Sequence, residues 1–369
     1  MFRILACLSL SVCFGFDIQG MSVEEKVGQV LMVHFHGDVA NDEARALVQD
    51  TKVGGIIYYN WSNGLHSPEQ VRALSAGLQI LAEKNRTSIP LLIAVDQEGG
   101  VVSRLNHGFS RFPGNKAIAM TGDPNLAEKA MQITGQELRA VGINMNLAPV
   151  VDVNSNPRNP VIGARSFGDL PETVVAFGEK ALQGLSKAQV ISTLKHFPGH
   201  GDVTDSHEDL PILRKSKEEL EKVELFPFAK LESSADAIMT AHILVPALDE
   251  ENCTTLSKKS LNYLRDVIGF QGVIVTDSLV MAGVLKQCGT VDEAAIGALN
   301  AGCDLLILGG KLLSGELSGF ELTVEDVQRV YRSIVQAVKE GRISEERLDG
   351  AVSKILTLKN RFLRSELTH

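Results

Sequence analysis

The sequence predicts an α/β chain folded as a single (β/α)8 TIM-type barrel, and three observations lead there. Short apolar, β-rich runs alternate with stretches of helical periodicity, which implies parallel strands joined by crossover helices. Eight such runs fall within roughly 300 residues, which suits a barrel of ~250 residues plus insertions. The rival is an open doubly wound sheet, whose usual mark is a glycine-rich phosphate turn after the first strand. No GxGxxG or GxxxxGK[ST] turn stands there.

In chain order the strand candidates are Val30–Phe35, Gly55–Tyr59, Leu91–Val95, Asn144–Val153, Val190–His196, Ala237–His242, Val273–Thr276 and Leu305–Leu308. Between them, apolar residues recur at helical spacing in Pro68–Lys84, Asn125–Val141, Pro171–Ala188 and Lys217–Ser233. Ser257–Ile268 and Asp292–Asn300 continue the alternation, and Thr323–Glu340 and Ser344–Leu363 close it. The last begins with Ser344, a helix-capping residue, followed by Glu345 and Glu346 in the first turn. No internal repeat, low-complexity tract or Pro/Gly/Ser-rich linker divides the chain. Residues 21–369 therefore read as one domain.

Composition narrows the function. Hydrophobic residues make up 44% and charged residues 22% of 369, an ordinary globular balance that excludes a disordered chain. No apolar run reaches the ~20 residues of a membrane-spanning helix. The net charge is −9 with no dense Lys/Arg block, so nucleic acid is not an expected partner. Aromatics are 5% with one tryptophan, Trp61, which argues against a long polysaccharide surface of stacked rings. The five cysteines include no CxxC pair, so neither a zinc ribbon nor a thioredoxin-type site is suggested.

Residues 1–20 admit two readings. Arg3 precedes an apolar run from Ile4 to Phe16, the length of a signal-peptide core and too short to span a bilayer. Asp17-Ile18-Gln19-Gly20 offers no clean A-x-A cleavage pattern, and Val12 is large for the position before Cys13 in a lipoprotein box. Export to the periplasm or cell surface is the expectation. A cytoplasmic protein whose true first residue is Met21 is the alternative.

In such a barrel the site lies at the C-terminal ends of the strands, so polar residues just after each apolar run are informative. Asp96 ends Leu91–Val95, Asp152 lies in Asn144–Val153, Lys195 and His196 end the next run, His242 the next, and Asp277 follows Val273–Thr276. Each has a plain structural explanation alone: Asp277 as a helix cap, Lys195 and His196 as a buried polar pair, His242 as a satisfied core histidine, Arg104 as a surface arginine, Arg165 as a brace for its loop. Five strands delivering ionisable groups to one rim outweigh these single explanations. The densest stretch holds His196, His200, Asp202, Asp205 and His207. Metal binding fits the residue types, but no HExxH spacing or cysteine supports it. Proton transfer also fits: Asp205 and His207 are separated by one serine, and a carboxylate beside an imidazole orients it and stabilises its protonated form.

At these residues the chain resembles family 3 glycoside hydrolases, and within them the NagZ-like β-N-acetylglucosaminidases. The stretch KHFPGHGDVTDSHEDLP, Lys195 to Pro211, looks like the family signature. EEKVGQ, DQEGGVVSR (Asp96 to Arg104), IGARSFG (Ile162 to Gly168), MTAH (Met239 to His242) and GVIVTDSLVM (Gly272 to Met281) match in order. The resemblance implies a retaining mechanism through a covalent glycosyl-enzyme intermediate. It implies Asp277 as nucleophile, His207 as acid/base and Asp205 as its partner. It implies Asp96, Arg104, Arg165, Lys195, His196 and His242 as residues that bind the sugar or support its subsite. No metal or organic cofactor is implied. One departure is Ser278, where the family pattern has a second aspartate. The additional C-terminal α/β sandwich domain of longer family members is not expected.

The expected activity is exo-hydrolysis of non-reducing terminal N-acetylglucosamine from peptidoglycan fragments or muropeptides, in bacterial cell-wall turnover. The alternatives are a β-glucosidase or a phosphorylase on the same scaffold, and a metal-dependent hydrolase built on His200, Asp202 and His207.

Overall fold

The computed structural model describes residues 16–203, 210–312 and 318–363. All eight expected strands form: β1 (Leu31–Val33), β2 (Gly55–Tyr58), β3 (Leu92–Val95), β6 (Met145–Asn146), β7 (Ile191–Phe197), β8 (Ala237–Thr240), β9 (Val273–Thr276) and β10 (Leu306–Ile307). The remaining two, β4 (Gln97–Gly99) and β5 (Val102–Ser103), make an antiparallel hairpin outside the barrel. The eight run parallel in the order β10-β1-β2-β3-β6-β7-β8-β9. A parallel bridge between Val275 and Leu305, with Thr276 N–H donating to Leu305 O at 2.9 Å, joins the two ends and closes the barrel. Strands β1, β2, β3, β7, β8 and β9 are buried at every residue, as expected when helices cover a parallel sheet from outside and side chains fill it from within.

Some elements depart from their expected bounds for identifiable reasons. The Asn144–Val153 run is a strand only at Met145–Asn146, because two of its side chains replace ladder bonds. Asn144 Oδ1 accepts from Ile93 N–H at 2.9 Å, and Asn146 bonds both backbone groups of Gln97 at 3.0 Å. The Lys217–Ser233 stretch splits into Lys217–Lys222 and Phe226–Leu231, the second with Pro227 in its first turn, where a missing N–H costs nothing. A helix not singled out from the sequence, Val23–Gln29, opens with a Ser22/Glu25 capping box. The closing helix, Glu345–Leu363, is capped as expected, Ser344 Oγ accepting from Arg347 N–H at 3.1 Å. No described helix is long and apolar enough to cross a membrane.

Two buried polar knots tie the barrel. Asp304, fully buried just before β10, accepts from Arg265 at 2.6 Å, Arg347 at 2.7 Å and Ile274 N–H at 3.0 Å. Lys359, on the last helix, is also fully buried, donating to Gln29 Oε1 at 2.8 Å and Gly54 O at 2.9 Å. Burial lowers its pKa to about 7.

Candidate active site

The strand ends enclose a cavity of about 230 Å³. This is below the roughly 300–1,000 Å³ that holds a drug-sized ligand, so it suits one small ring. Tyr59, Asp96, Glu98, Arg104, Arg165, Lys195, His196, His200, Asp277 and Ser278 line it, with Leu147, Met239 and Ile307 among the apolar walls.

Each polar group is held by its own local structure. Asp96 follows β3 directly. Glu98 and Arg104 come from the hairpin, whose turn uses Gly99 and Gly100 at φ 93° and 60°, conformations that favour glycine. A side chain on Gly100 would also meet Gly114 Cα at 2.7 Å. Gln97 Oε1 accepts from the N–H groups of Arg104 and Leu105 at 2.8 and 3.0 Å, fixing where Arg104 starts. Arg165 ends a short turn, Gly163–Arg165. That loop is pinned by Asn159, which accepts from Val161 and Ile162 N–H and donates to His200 O and Val203 O.

The centre is a buried ion cluster. Lys195 Nζ lies 2.7 Å from Asp96 Oδ1 and 2.6 Å from Glu98 Oε1. Arg165 grips the same Glu98 with Nε at 2.9 Å and Nη2 at 2.8 Å. Burial opposes charge on Glu98, but the Lys195 and Arg165 cations outweigh it and hold the carboxyl well below the usual range. Burial likewise opposes the Lys195 ammonium, and Asp96 and Glu98 overcome it, raising its pKa. Arg104 is less committed: its Nη2 stays 3.8 Å from Asp96, and its buried Nε has no hydrogen-bond partner among the described residues.

Behind this lies Asp152, fully buried, accepting at Oδ2 from His196 Nδ1 at 2.7 Å and at Oδ1 from the N–H groups of His196 and His200 at 3.1 and 2.7 Å. The Asp152 carboxylate accepts from His196 Nδ1–H, which leaves Nε2 toward the cavity, 3.4 Å from Arg165 Nη2. Burial lowers the His200 pKa to about 4 against the pull of Asp152, leaving its ring neutral at pH 7.

On the opposite wall, Asp277 leaves β9 with its N–H on Thr240 O at 3.1 Å and its Oδ1 accepting from Ser278 N–H at 2.7 Å. Ser278 Oγ donates to Gly309 O at 2.5 Å, tying this turn to the chain beyond β10. Ser278 therefore has a positioning contact where the family pattern carries a second carboxylate.

Six of the residues singled out from the sequence thus meet at one cavity: Asp96, Arg104, Arg165, Lys195, His196 and Asp277. His242 does not line it. It is fully buried, accepting from Thr255 Oγ1 at 2.8 Å and donating through Nε2 to Ser278 O at 2.9 Å, so it supports the Asp277 turn from behind. Asp205 and His207 lie outside the described residues. Of the alternative metal set, His200 faces the cavity, Asp202 pairs with Lys215 at 2.9 Å, and His207 again lies outside the described residues. Glu98 was not singled out. The signal was its place inside DQEGG, two residues after Asp96 and directly before two glycines.

Residues 22–358 match the glycosyl hydrolase family 3 N terminal domain. A beta-hexosaminidase A of Pseudoalteromonas piscicida is 34% identical over 343 residues, 88% of this chain and 56% of that protein. A beta-hexosaminidase of Pseudomonas aeruginosa (strain LESB58) is 36% identical over 292 residues, 78% of this chain and 84% of that protein. The solved structure of a glycoside hydrolase family 3 beta-N-acetylglucosaminidase from Paenibacillus sp. str. FPU-7 superposes with a TM-score of 0.87 at 43% identity, covering 94% of this chain and 63% of that one. The chain thus spans little more than half of the Pseudoalteromonas relative and under two thirds of the Paenibacillus one.

Proposed function

The chain belongs to glycosyl hydrolase family 3, and on that premise we propose that it is a retaining, exo-acting β-N-acetylglucosaminidase that removes terminal N-acetylglucosamine from peptidoglycan fragments. The observation that carries this reading is the cavity itself. A small pocket has Asp277 on one wall and an Asp96–Lys195–Glu98–Arg165 cluster on the other. Carboxylate oxygens and fixed cations in such an array suit the hydroxyls of one sugar ring. The beta-hexosaminidase and beta-N-acetylglucosaminidase relatives support the N-acetylhexosamine choice.

In the proposed mechanism a carboxylate oxygen of Asp277 attacks the anomeric carbon and forms an ester-like bond to it. The bond to the leaving oxygen breaks, and His207 delivers the proton that oxygen needs. In the second step His207 takes a proton from water. The resulting oxygen attacks the anomeric carbon, and Asp277 departs as a carboxylate. A histidine thus stands where most retaining glycosidases use a second carboxylate. Asp205 would orient that histidine, and Asp96, Arg104, Lys195 and His196 would hold the ring.

The test is release of a fluorescent aglycone from its β-N-acetylglucosaminide and from the matching β-glucoside, in EDTA, with and without phosphate. The wild type should turn over the N-acetyl substrate, and Asp277→Ala should lose about a thousandfold or more in kcat/KM. A folded wild type inactive in every arm, or an active Asp277→Ala, would overturn the reading. A phosphate requirement would replace hydrolysis by phosphorolysis, and preference for the glucoside would replace the substrate.

A further inference from the structure

Outside the catalytic cavity, one cluster of ligand-type side chains stands at the end of β1. His34 and His36 follow the strand two residues apart, so their side chains project to the same side. Glu321 comes from the far end of the chain, just before the helix Val324–Lys339. His34 Nε2 lies 3.2 Å from Glu321 Oε2 and His36 Nε2 lies 3.2 Å from Glu321 Oε1. One ligand atom from each of the three can be chosen so that all lie within 4.8 Å of one another. Tetrahedral zinc with bonds of about 2.0–2.2 Å places its ligands roughly 3.3–3.5 Å apart, so the set needs only small movements to close on an ion.

We propose that His34, His36 and Glu321 form a divalent transition-metal site suited to zinc, separate from the sugar pocket. The donors are two imidazoles and one carboxylate, a set that zinc accepts with one position left for solvent. Access exists on one side. The His36 side chain is 49% exposed while that of His34 is 2% exposed, and both border a surface pocket of about 420 Å³ that also bears Asp42, Glu43 and Glu325. Those acids favour the approach of a cation. The backbone of His36 is already fixed, its N–H on Glu43 Oε2 at 3.0 Å and its O accepting from Asn41 at 2.7 Å. Lys311 now stands 3.7 Å from Glu321 Oε1 and would be displaced by the doubly charged ion. The same Nζ also lies over the Trp61 ring, 4.0 Å from the centroid. Tyr59 separates the two sites: it lines the sugar pocket and meets His34 edge-on at 6.0 Å.

The cluster has a built-in reporter. Trp61 is the only tryptophan in the chain, and its ring centroid lies 4.9 Å from that of His34 and 5.6 Å from that of His36. The experiment is titration of the chelator-treated full chain with Co²⁺, a paramagnetic stand-in for Zn²⁺, following Trp61 fluorescence, with Zn²⁺ calorimetry for stoichiometry. Expected is saturable quenching by one ion per chain, reversed by EDTA, with Asp277→Ala unaffected. His36→Ala and Glu321→Gln, both partly exposed positions, should each weaken binding at least about tenfold. Zn²⁺ should raise the melting temperature of the wild type but not of those variants. Absence of saturable quenching up to roughly 1 mM, or equal affinity in wild type and both variants, would overturn the proposal and leave Glu321 as the anion of a hydrogen-bonded His/Lys network.

Discussion

Replacing Glu98 by glutamine tests whether the buried cluster, and not the pocket's shape, holds the binding cations in place. Glu98 Oε1 faces Lys195 Nζ at 2.6 Å and Arg165 Nη2 at 2.8 Å, and Oε2 faces Arg165 Nε at 2.9 Å. Glutamine keeps the outline but loses the charge, and its NH2 must point at a donor on one side. Removing one partner of a buried ion pair costs about 3–5 kcal/mol, or roughly two to four decades in an equilibrium constant. We expect that loss to be divided between urea-unfolding stability and kcat/KM, since Lys195 retains Asp96 while Arg165 loses its only carboxylate among the described residues. The pH dependence follows from the sign of the shift. Glu98 is held below its unfolded value near 4.3, so its contribution is complete above that value and disappears as pH falls through the folded one. The stability gap between wild type and Glu98→Gln should therefore be constant from pH 7 to pH 5 and shrink below about pH 4. A variant with wild-type stability and wild-type kcat/KM would refute the reasoning, as would a gap that does not change in acid.

Three further outcomes follow. Asp152→Asn should cut kcat/KM by about 10–100-fold through loss of the His196 orientation, and unchanged kinetics would show that this histidine needs no such holder. Lys359 sheds its proton at about pH 7 when folded and near 10.5 when unfolded, so the unfolded chain binds more protons in that window and stability rises with pH. Relative to Lys359→Met, the wild type should gain about 2 kcal/mol between pH 7 and pH 9, read from denaturant midpoints; a flat difference would contradict the burial cost. If His207 is the acid/base, kcat/KM should be bell-shaped in pH with a histidine alkaline limb. His207→Ala should then hurt a poor leaving group far more than an activated aryl one, and equal losses would exclude it as the acid.

Strand positions were legible where a short apolar run ends at a polar residue, as β3 does before Asp96 and β9 before Asp277, whereas Lys195 lies inside β7, which runs on to Phe197. Boundaries failed where side chains stand in for backbone, as Asn144 and Asn146 do. His242 looked like a rim residue by the same rule, yet β8 ends at Thr240 and the chain turns inward, its Ala241 N–H on Phe197 O at 2.7 Å. Glu98 and the hairpin that carries it were hidden because a three-residue strand running into two successive glycines has no periodicity to read. The pairing of His34 and His36 with Glu321 spans nearly the whole chain, and no local pattern announces it.

The pairing of the first and last barrel strands has a consequence for synthesis. β1 takes its outer partner from β10, Leu31 beside Leu306, so roughly 275 residues must be made before that edge is covered. At ~5–20 residues per second the wait is roughly 15–55 s. During it Leu31, Met32 and Val33 offer one unpaired edge to whatever strand is nearby. Aggregation of the nascent chain should therefore begin at β1, and slowing translation ahead of residue 306 should worsen yield more than slowing it afterwards.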